Sequence, residues 1–554
     1  MGKKLSKLIA VLFILSTTLG GAMAGYAADE AIRPTEGDLT IHKYWAETAD
    51  DVKAEGDGTE LTTPPSNPPV KGIQFDVYSM TPNDSSTPET PLSDKDGWTY
   101  SRSGTELTVK KGGTEYKYKL VKQVADGTYA DGKTNASGEL KFSGLDAGYY
   151  YVEENLTAST GYEVQGNGNK DKVITSASKP FIVAVPMTNT AGDGWNDDVH
   201  VYPKNQGLNP EKKPDKPSVN VGDEVEWTIT ANVPTDIGTY SKFDITDELD
   251  KRLNYVFDSG DINASAVVKG LDASDTSLVT LDKTVDYTVS QTAASPGTKE
   301  KIVISLTPAG IAKLAADTNI VKIAVSFKTT VNGNIASDLE NIIENEANIE
   351  FENDSTTGTE KVPTPPSEVD TGEIVIDKKD SDGSTDLKGA EFQLASDDTN
   401  ANNGDFLKVK LDSTNTYIVD ILDKDDTGYA AALPWVVRPY ETVAGNLGLQ
   451  GTTFYATSFE GLQTHTVSGT DTNWNSYWVV ETKAPKEYNL LGSPVQVTFK
   501  SGLTNYVLSE TVINKKGFTL PNTGGIGTML LVVVGIVLIG LAVILTMNKN
   551  KKNA

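Results

Sequence analysis

The chain has 554 residues, enough for several domains, and its 76 acidic against 49 basic side chains leave a net charge of -27. Such a surface repels phosphate, so nucleic acid is excluded as a partner. Cysteine is absent and histidine occurs three times (His42, His200, His465). Disulfides are therefore excluded, no metal site or cofactor is expected, and each histidine reads as surface or strand filler.

In chain order, Lys3, Lys4 and Lys7 precede an apolar stretch and then small residues. This predicts a secretory signal over 1–28, cleaved between Ala24 and Ala28. The body that follows is mostly alternating strand pattern: LTIHKYW, YYYVEE, FIVAVP, EVEWTITANV, KIVISL, KIAVSF, EIVID, YWVVET and VQVTF. Helical patterning is confined to PAGIAKLAADT, Pro308 to Thr318. Many short strands with frequent turns predict an all-β fold of tandem Ig-like β-sandwiches in an elongated array. Two Pro-rich, charged stretches, Pro203 to Pro217 and Lys361 to Glu373, read as extended connectors. They divide the body into 29–205, 206–366 and 367–516. A faint echo links the outer two pieces, with LTIHK (Lys43) matching IVIDK (Lys378) and YYVEEN (Glu154) matching YWVVET (Glu481). Residues 517–554 hold LPNTGG, an uncharged run from Thr528 to Met547, and Lys549, Lys551 and Lys552. That run is long enough to span a bilayer, with the basic tail inside.

LPNTGG followed by a span and a basic tail resembles the cell-wall sorting signal of Gram-positive surface proteins. The resemblance implies that a sortase recognises Leu520, Pro521, Asn522, Thr523 and Gly524. It would cut after Thr523, hold that residue as a thioester and pass it to an amine, so that the membrane span is transient. WNDDVHVYPKN resembles the pilin motif of sortase-assembled major pilins through Trp195, Val199, Val201, Tyr202, Pro203 and Lys204, and KPFIVAVPMTN resembles the strand preceding it. Carried over, Lys204 is the amine that attacks the Thr523 acyl group of another copy.

Major pilins of this kind carry Lys–Asn isopeptide bonds inside their domains. Such a bond needs a neutral amine, yet lysine with a pKa of about 10.4 is neutral at pH 7 in roughly one molecule per few thousand. Burial lowers that pKa and raises that of a neighbouring carboxyl, preparing both groups together. YWVVETKAPKEY resembles the pilin E-box through Tyr477, Glu481, Thr482, Ala484, Pro485 and Tyr488, with Val479 and Glu487 departing from the pattern. The resemblance implies a CnaB-like last domain in which Lys378 bonds Asn514 with Glu481 as the promoting acid. VNVGDEVEWTITANVP followed by FDITDEL resembles the CnaA-like domains of the same proteins. There Asp247 is the implied acid and Asn345 the amide; Lys213 has the best spacing, with Lys212 and Lys216 as alternatives. In the first, CnaB-like piece, Lys43, Glu154 and Asn205 form a third candidate set.

The reading is the major subunit of a covalent pilus, secreted and attached to the cell wall. It is a sortase substrate rather than an enzyme, doing only single-turnover chemistry on itself. Implied partners are identical subunits, a pilin-specific and a housekeeping sortase, tip and base pilins, and peptidoglycan. A wall-anchored monomeric adhesin or ancillary pilin binding host extracellular matrix would share everything except the use of Lys204. An anchored hydrolase would need a catalytic pair, and nothing among the abundant carboxylates singles one out.

Overall fold

The computed structural model describes residues 32–46, 56–63, 65–129, 131–165, 173–257, 260–294, 299–333, 340–354, 356, 358–442, 447–517 and 526–551. The expected secretory signal and the sorting residues Leu520, Pro521, Asn522, Thr523 and Gly524 lie outside them. The chain forms two compact units, one built from residues up to Asn205 and the other mainly from Gln206 onward.

In the first unit, the strand Glu36–His42 lies between Asp198–Val201, which runs parallel to it, and Glu139–Asp146, which runs antiparallel. A six-stranded sheet runs in the order Phe181–Val185, Gly148–Asn155, Gln74–Pro82, Thr114–Lys122, Glu106–Lys111 and Thr99–Ser103. Alternation fills the interior: Leu39, Ile41, Val77, Leu140, Phe142, Tyr150 and Val152 are all buried. Where the longer strands extend past this interior, Tyr78, Met80, Leu107, Val109, Tyr118, Leu120 and Tyr151 make a second small core.

The second unit holds two sandwiches. In the first of these, Glu224–Asn232 and Lys322–Val331 pair along their whole length, and Glu211–Pro214 extends that sheet. A five-stranded sheet centred on Lys242–Glu248 accompanies it. Trp227, Ile229, Val325 and Phe327 of one sheet are buried with Phe243, Ile245, Ile304 and Phe351 of the other in one core. The expected helix forms over Pro308–Ala315, where Thr307 caps the N-terminus by accepting from Gly310 N and Pro308 supplies a ready helical φ. In the following sandwich, Gly372–Asp380 and Val507–Asn514 run parallel, and the facing sheet includes Glu391–Ala395 and Ser476–Lys483.

The two stretches expected as open connectors are paired strands instead. Lys204–Gln206 pairs with Tyr44–Ala46, and Glu211–Pro214 with Glu224–Asn232. Glu360–Pro363 and Ser367–Asp370 pair with Ala347–Glu352 and Ile342–Asn345. Proline lacks a donor but still suits an edge strand or a strand end, so Pro content alone did not exclude pairing. The two sandwiches of the second unit are also joined. Their buried side chains form one continuous core, from Leu208 to Val512. Val221 N donates to Gly461 O at 2.8 Å and Ile421 N to Val221 O at 3.1 Å.

Gly222 makes this junction close. Its φ is +98°, and a Cβ there would lie 2.4 Å from Asp420 Oδ1 and 2.8 Å from Asp420 Cα. Gly222→Ala should therefore lower stability by about 1–3 kcal/mol, whereas Gly358→Ala, in open space, should change it by less than about 0.5 kcal/mol. Equal thermal midpoints for the two variants would contradict the close approach.

Candidate functional site

A buried lysine recurs in each of the three sandwiches, at Lys43, Lys212 and Lys378. In the last sandwich Lys378 sits opposite Val512 in the parallel pair, and its Nζ donates to Val512 O at 3.0 Å and Lys379 O at 3.3 Å. Two residues beyond Val512, buried Asn514 donates through Nδ2 to Glu481 Oε1 and Oε2 at 2.8 and 2.9 Å, and to Asn489 O at 3.0 Å. Leu491 N also holds Glu481 Oε2, at 3.0 Å. Burial lowers the Lys378 pKa against the opposing pull of the Glu481 and Asp380 charges.

In the middle sandwich the buried lysine that meets Asp247 is Lys212. The Lys212 ammonium touches Asp247 Oδ2, and both side chains are fully buried. The indole of Trp227 lies 4.9 Å from Nζ and the Phe327 ring 5.6 Å. Burial pushes the lysine pKa down and the Asp247 pKa up. Lys213, favoured by spacing, is corrected: it is 76% exposed and pairs with Glu211 Oε2 at 2.8 Å. Side chains alternate along Glu211–Pro214, so only one of two neighbouring lysines can face the core. Lys216 is half-buried and lies beyond that strand. Asn345 is buried two residues before Ala347, the cross-strand partner of Asp247, and neither its Nδ2 nor its Oδ1 has a hydrogen-bond partner.

In the first unit Lys43 Nζ donates to Glu154 Oε2 at 2.8 Å, and Asn205 Nδ2 donates to the same oxygen at 3.1 Å. Ser178 adds its N at 2.8 Å and its Oγ at 2.6 Å, a contact no sequence pattern signalled. Burial lowers the Lys43 pKa, opposed by Glu154. Lys204 is half-buried at the start of Lys204–Gln206, next to Asn205, which faces inward. Tyr44 N donates to Pro203 O at 3.3 Å, tying down the residue before it. The terminal helix Ile526–Lys551 contains a 21-residue apolar stretch, Met529–Lys549, of membrane-spanning length.

Residues 34–206 match the family described as Gram-positive pilin subunit D1, N-terminal domain, and residues 513–554 match the LPXTG cell wall anchor motif. The chain is a Gram-positive pilin. It is 27% identical over 546 residues to fimbrial subunit type 1 of Actinomyces viscosus, covering 93% of this chain and 90% of that one. It is 26% identical to fimbrial subunit type 2 of Actinomyces naeslundii, covering 92% and 88%. Among solved structures, the full-length major pilin SpaD from Corynebacterium diphtheriae is similar at 23% identity and a TM-score of 0.44, covering 87% of this chain and 98% of that one.

The pilin is thus a cell-wall-attached subunit of a surface pilus, with an all-β fold. Its three lysine, acid and asparagine sets differ in who holds the acid. Lys43 and Lys212 contact their carboxylates directly, whereas Glu481 is engaged by Asn514 and a backbone N–H. Mild acylation of the intact pilin near neutral pH should label Lys213 at least about tenfold more than Lys212, because only a solvated amine reacts. Peptide mass spectrometry that finds equal labelling would reverse the assignment of the buried lysine.

Proposed function

We propose that this pilin is the major subunit of a covalent polymer, in which sortase joins Thr523 of one copy to Lys204 of the next. Internal Lys43–Asn205, Lys212–Asn345 and Lys378–Asn514 bonds stiffen each subunit. The observation that carries the reading is the threefold recurrence of a buried lysine in sandwiches that also bury a carboxylate and an asparagine amide. Lys204, beside inward-facing Asn205, supports the intersubunit link. A pilin-specific sortase would build the shaft, a housekeeping sortase would transfer it to peptidoglycan, and tip and base pilins would complete it.

Each internal bond forms by attack of the neutral lysine Nζ on the asparagine Cγ. The Cγ–Nδ2 bond breaks and ammonia leaves, while the acid takes the proton shed by the lysine and delivers it to Nδ2. Asn514 suits this step, since both Glu481 oxygens lie within 2.9 Å of its Nδ2. Asn345 supplies an energetic reason: an idle buried amide costs about 1–3 kcal/mol per unmet group, which conversion to a secondary amide partly removes. Each bond also closes a loop of more than about a hundred residues, worth on the order of 5 kcal/mol in chain-entropy terms. Intact mass should fall by about 17 Da for each ammonia lost, three such losses in all. An unchanged mass would refute the internal bonds.

Load entering at Lys204 would run to Lys212, cross to Asn345, continue to Lys378, cross to Asn514 and leave through Thr523. The stretches 213–344 and 379–513 would be bypassed. Single-molecule pulling between Lys204 and the carboxyl end should therefore show no unfolding step in the native pilin. Asn345→Ala should release about 400 Å of chain, given about 3.3–3.6 Å per extended residue. A native pilin that extends equally has no such bypass. On cells, Lys204→Ala should abolish high-molecular-weight ladders while monomer stays on the wall; persistent ladders would assign the acceptor elsewhere.

A further inference from the structure

Two of the three histidines, read from sequence as filler, meet in the first unit. His42 ends the strand Glu36–His42, and His200 lies within Asp198–Val201; both are buried. His42 Nε2 is 2.8 Å from His200 Nδ1, and the rings stack with centroids 5.1 Å apart. The His42 ring also stacks on Tyr202 at 4.6 Å, and Tyr202 Oη accepts from Leu61 N at 2.8 Å. His200 Nε2 lies 3.3 Å from Asp198 Oδ2. Of these, Asp198, His200 and Tyr202 lie on the segment that leads through Pro203 to Lys204.

The gap between the two rings holds one proton. With His200 Nε2–H turned to Asp198, His200 Nδ1 is bare and His42 Nε2–H donates to it. A first added proton goes to His42 Nδ1 and leaves this bond intact. A second must enter the gap at His200 Nδ1, where two N–H groups would oppose one another, and the rings must part. Glu139 and Lys141 face the pair from the strand Glu139–Asp146, Asp198 and Tyr202 from its own side, Glu60 from the 56–61 segment and Tyr44 from Tyr44–Ala46. The acids favour a charged imidazole. Burial first, and His200 second, outweigh them and hold the His42 pKa below its ordinary 6.5.

We propose that His42 and His200 are positioning residues for Lys204: neutral, they latch its strand to the first strand, and doubly protonated they release it. This rests on the reading of Lys204 as the acceptor amine. Release takes up a proton that the latched gap has no room for, so the open strand binds more protons than the latched one. The latch is therefore strongest when both rings are neutral and weakens as pH falls.

The test is amide hydrogen exchange of the peptide covering 197–206 in the full chain, purified in detergent. Rates are compared at about pH 7.5 and about pH 5, corrected for intrinsic chemistry. The native chain should open about tenfold more often at the lower pH. His42→Gln, whose amide can donate to a bare His200 Nδ1 or turn its oxygen to accept from a protonated one, should be equally protected at both, and His200→Asn, whose Oδ1 accepts from His42 Nε2–H, is the second such variant. Equal protection of the native chain at both pH values, or pH responses that survive both substitutions, would overturn the latch. On cells, the ladder yield of native pilin relative to His42→Gln cancels the pH dependence of sortase itself. That ratio should fall about threefold on acidification; a constant ratio alongside an intact exchange response overturns the positioning role. If ladders persist in Lys204→Ala, the acceptor reading fails and takes the positioning role with it. The exchange response of the histidine pair, measured without sortase, then stands as a separate result.

Discussion

Three ammonium groups with no solvent contact are the constraint around which this pilin is organised. Removing a charge from water costs several kcal/mol even after relaxation, and a single carboxylate rarely repays it in full. The fold responds in one direction at all three places: burial lowers the pKa of Lys43, Lys212 and Lys378. At Asp247 it raises the acid as well. A pair pushed from both sides toward its neutral form holds an amine that can act as a nucleophile and an acid that can hand on a proton. In the proposed chemistry the amide product carries no charge, so the desolvation cost ends with the reaction.

Sheet topology brings these groups together from distant parts of the chain. In the outer sandwiches a strand near the beginning runs parallel to a strand near the end: Glu36–His42 with Asp198–Val201, and Gly372–Asp380 with Val507–Asn514. A parallel neighbour cannot come from a hairpin, so this pairing joins the two ends of each domain. In the proposed load path, a Lys378–Asn514 cross-link between the ends of the last sandwich would shield the residues between them. The middle sandwich differs, since Lys212 lies on an edge strand and its acid on the other sheet. Within the second unit, the shared core and the hydrogen bonds at Val221 join two sandwiches that would otherwise meet only through a connector.

Much of this was legible in the amino-acid order. Alternation marked the strands, the helix after Thr307 carried its own cap and proline, and motif spacing singled out Lys204, Glu481, Asp247 and Asn345. The faint echo between Lys43 and Lys378, and between Glu154 and Glu481, accompanies the parallel pairing found in both outer sandwiches. These features were readable because each is local: period-two patterning, turn chemistry and short motifs need only neighbouring residues.

What local pattern could not decide is which face of a short strand meets the core. Lys212 and Lys213 are chemically identical and adjacent, and only the register of Glu211–Pro214 against Glu224–Asn232 turns one inward and the other to water. Ser178 reaches Glu154, and His42 finds His200, through long-range pairings that no spacing encodes. The Pro-rich stretches looked like open connectors because composition reports missing donors, while the partner strands that accept them lie elsewhere in the chain. Composition and order alone determined secretion, an all-β body and the kinds of side chain available to each site. Tertiary structure alone decided which of those groups are dry, because desolvation depends on everything packed around a side chain and not on its neighbours in sequence.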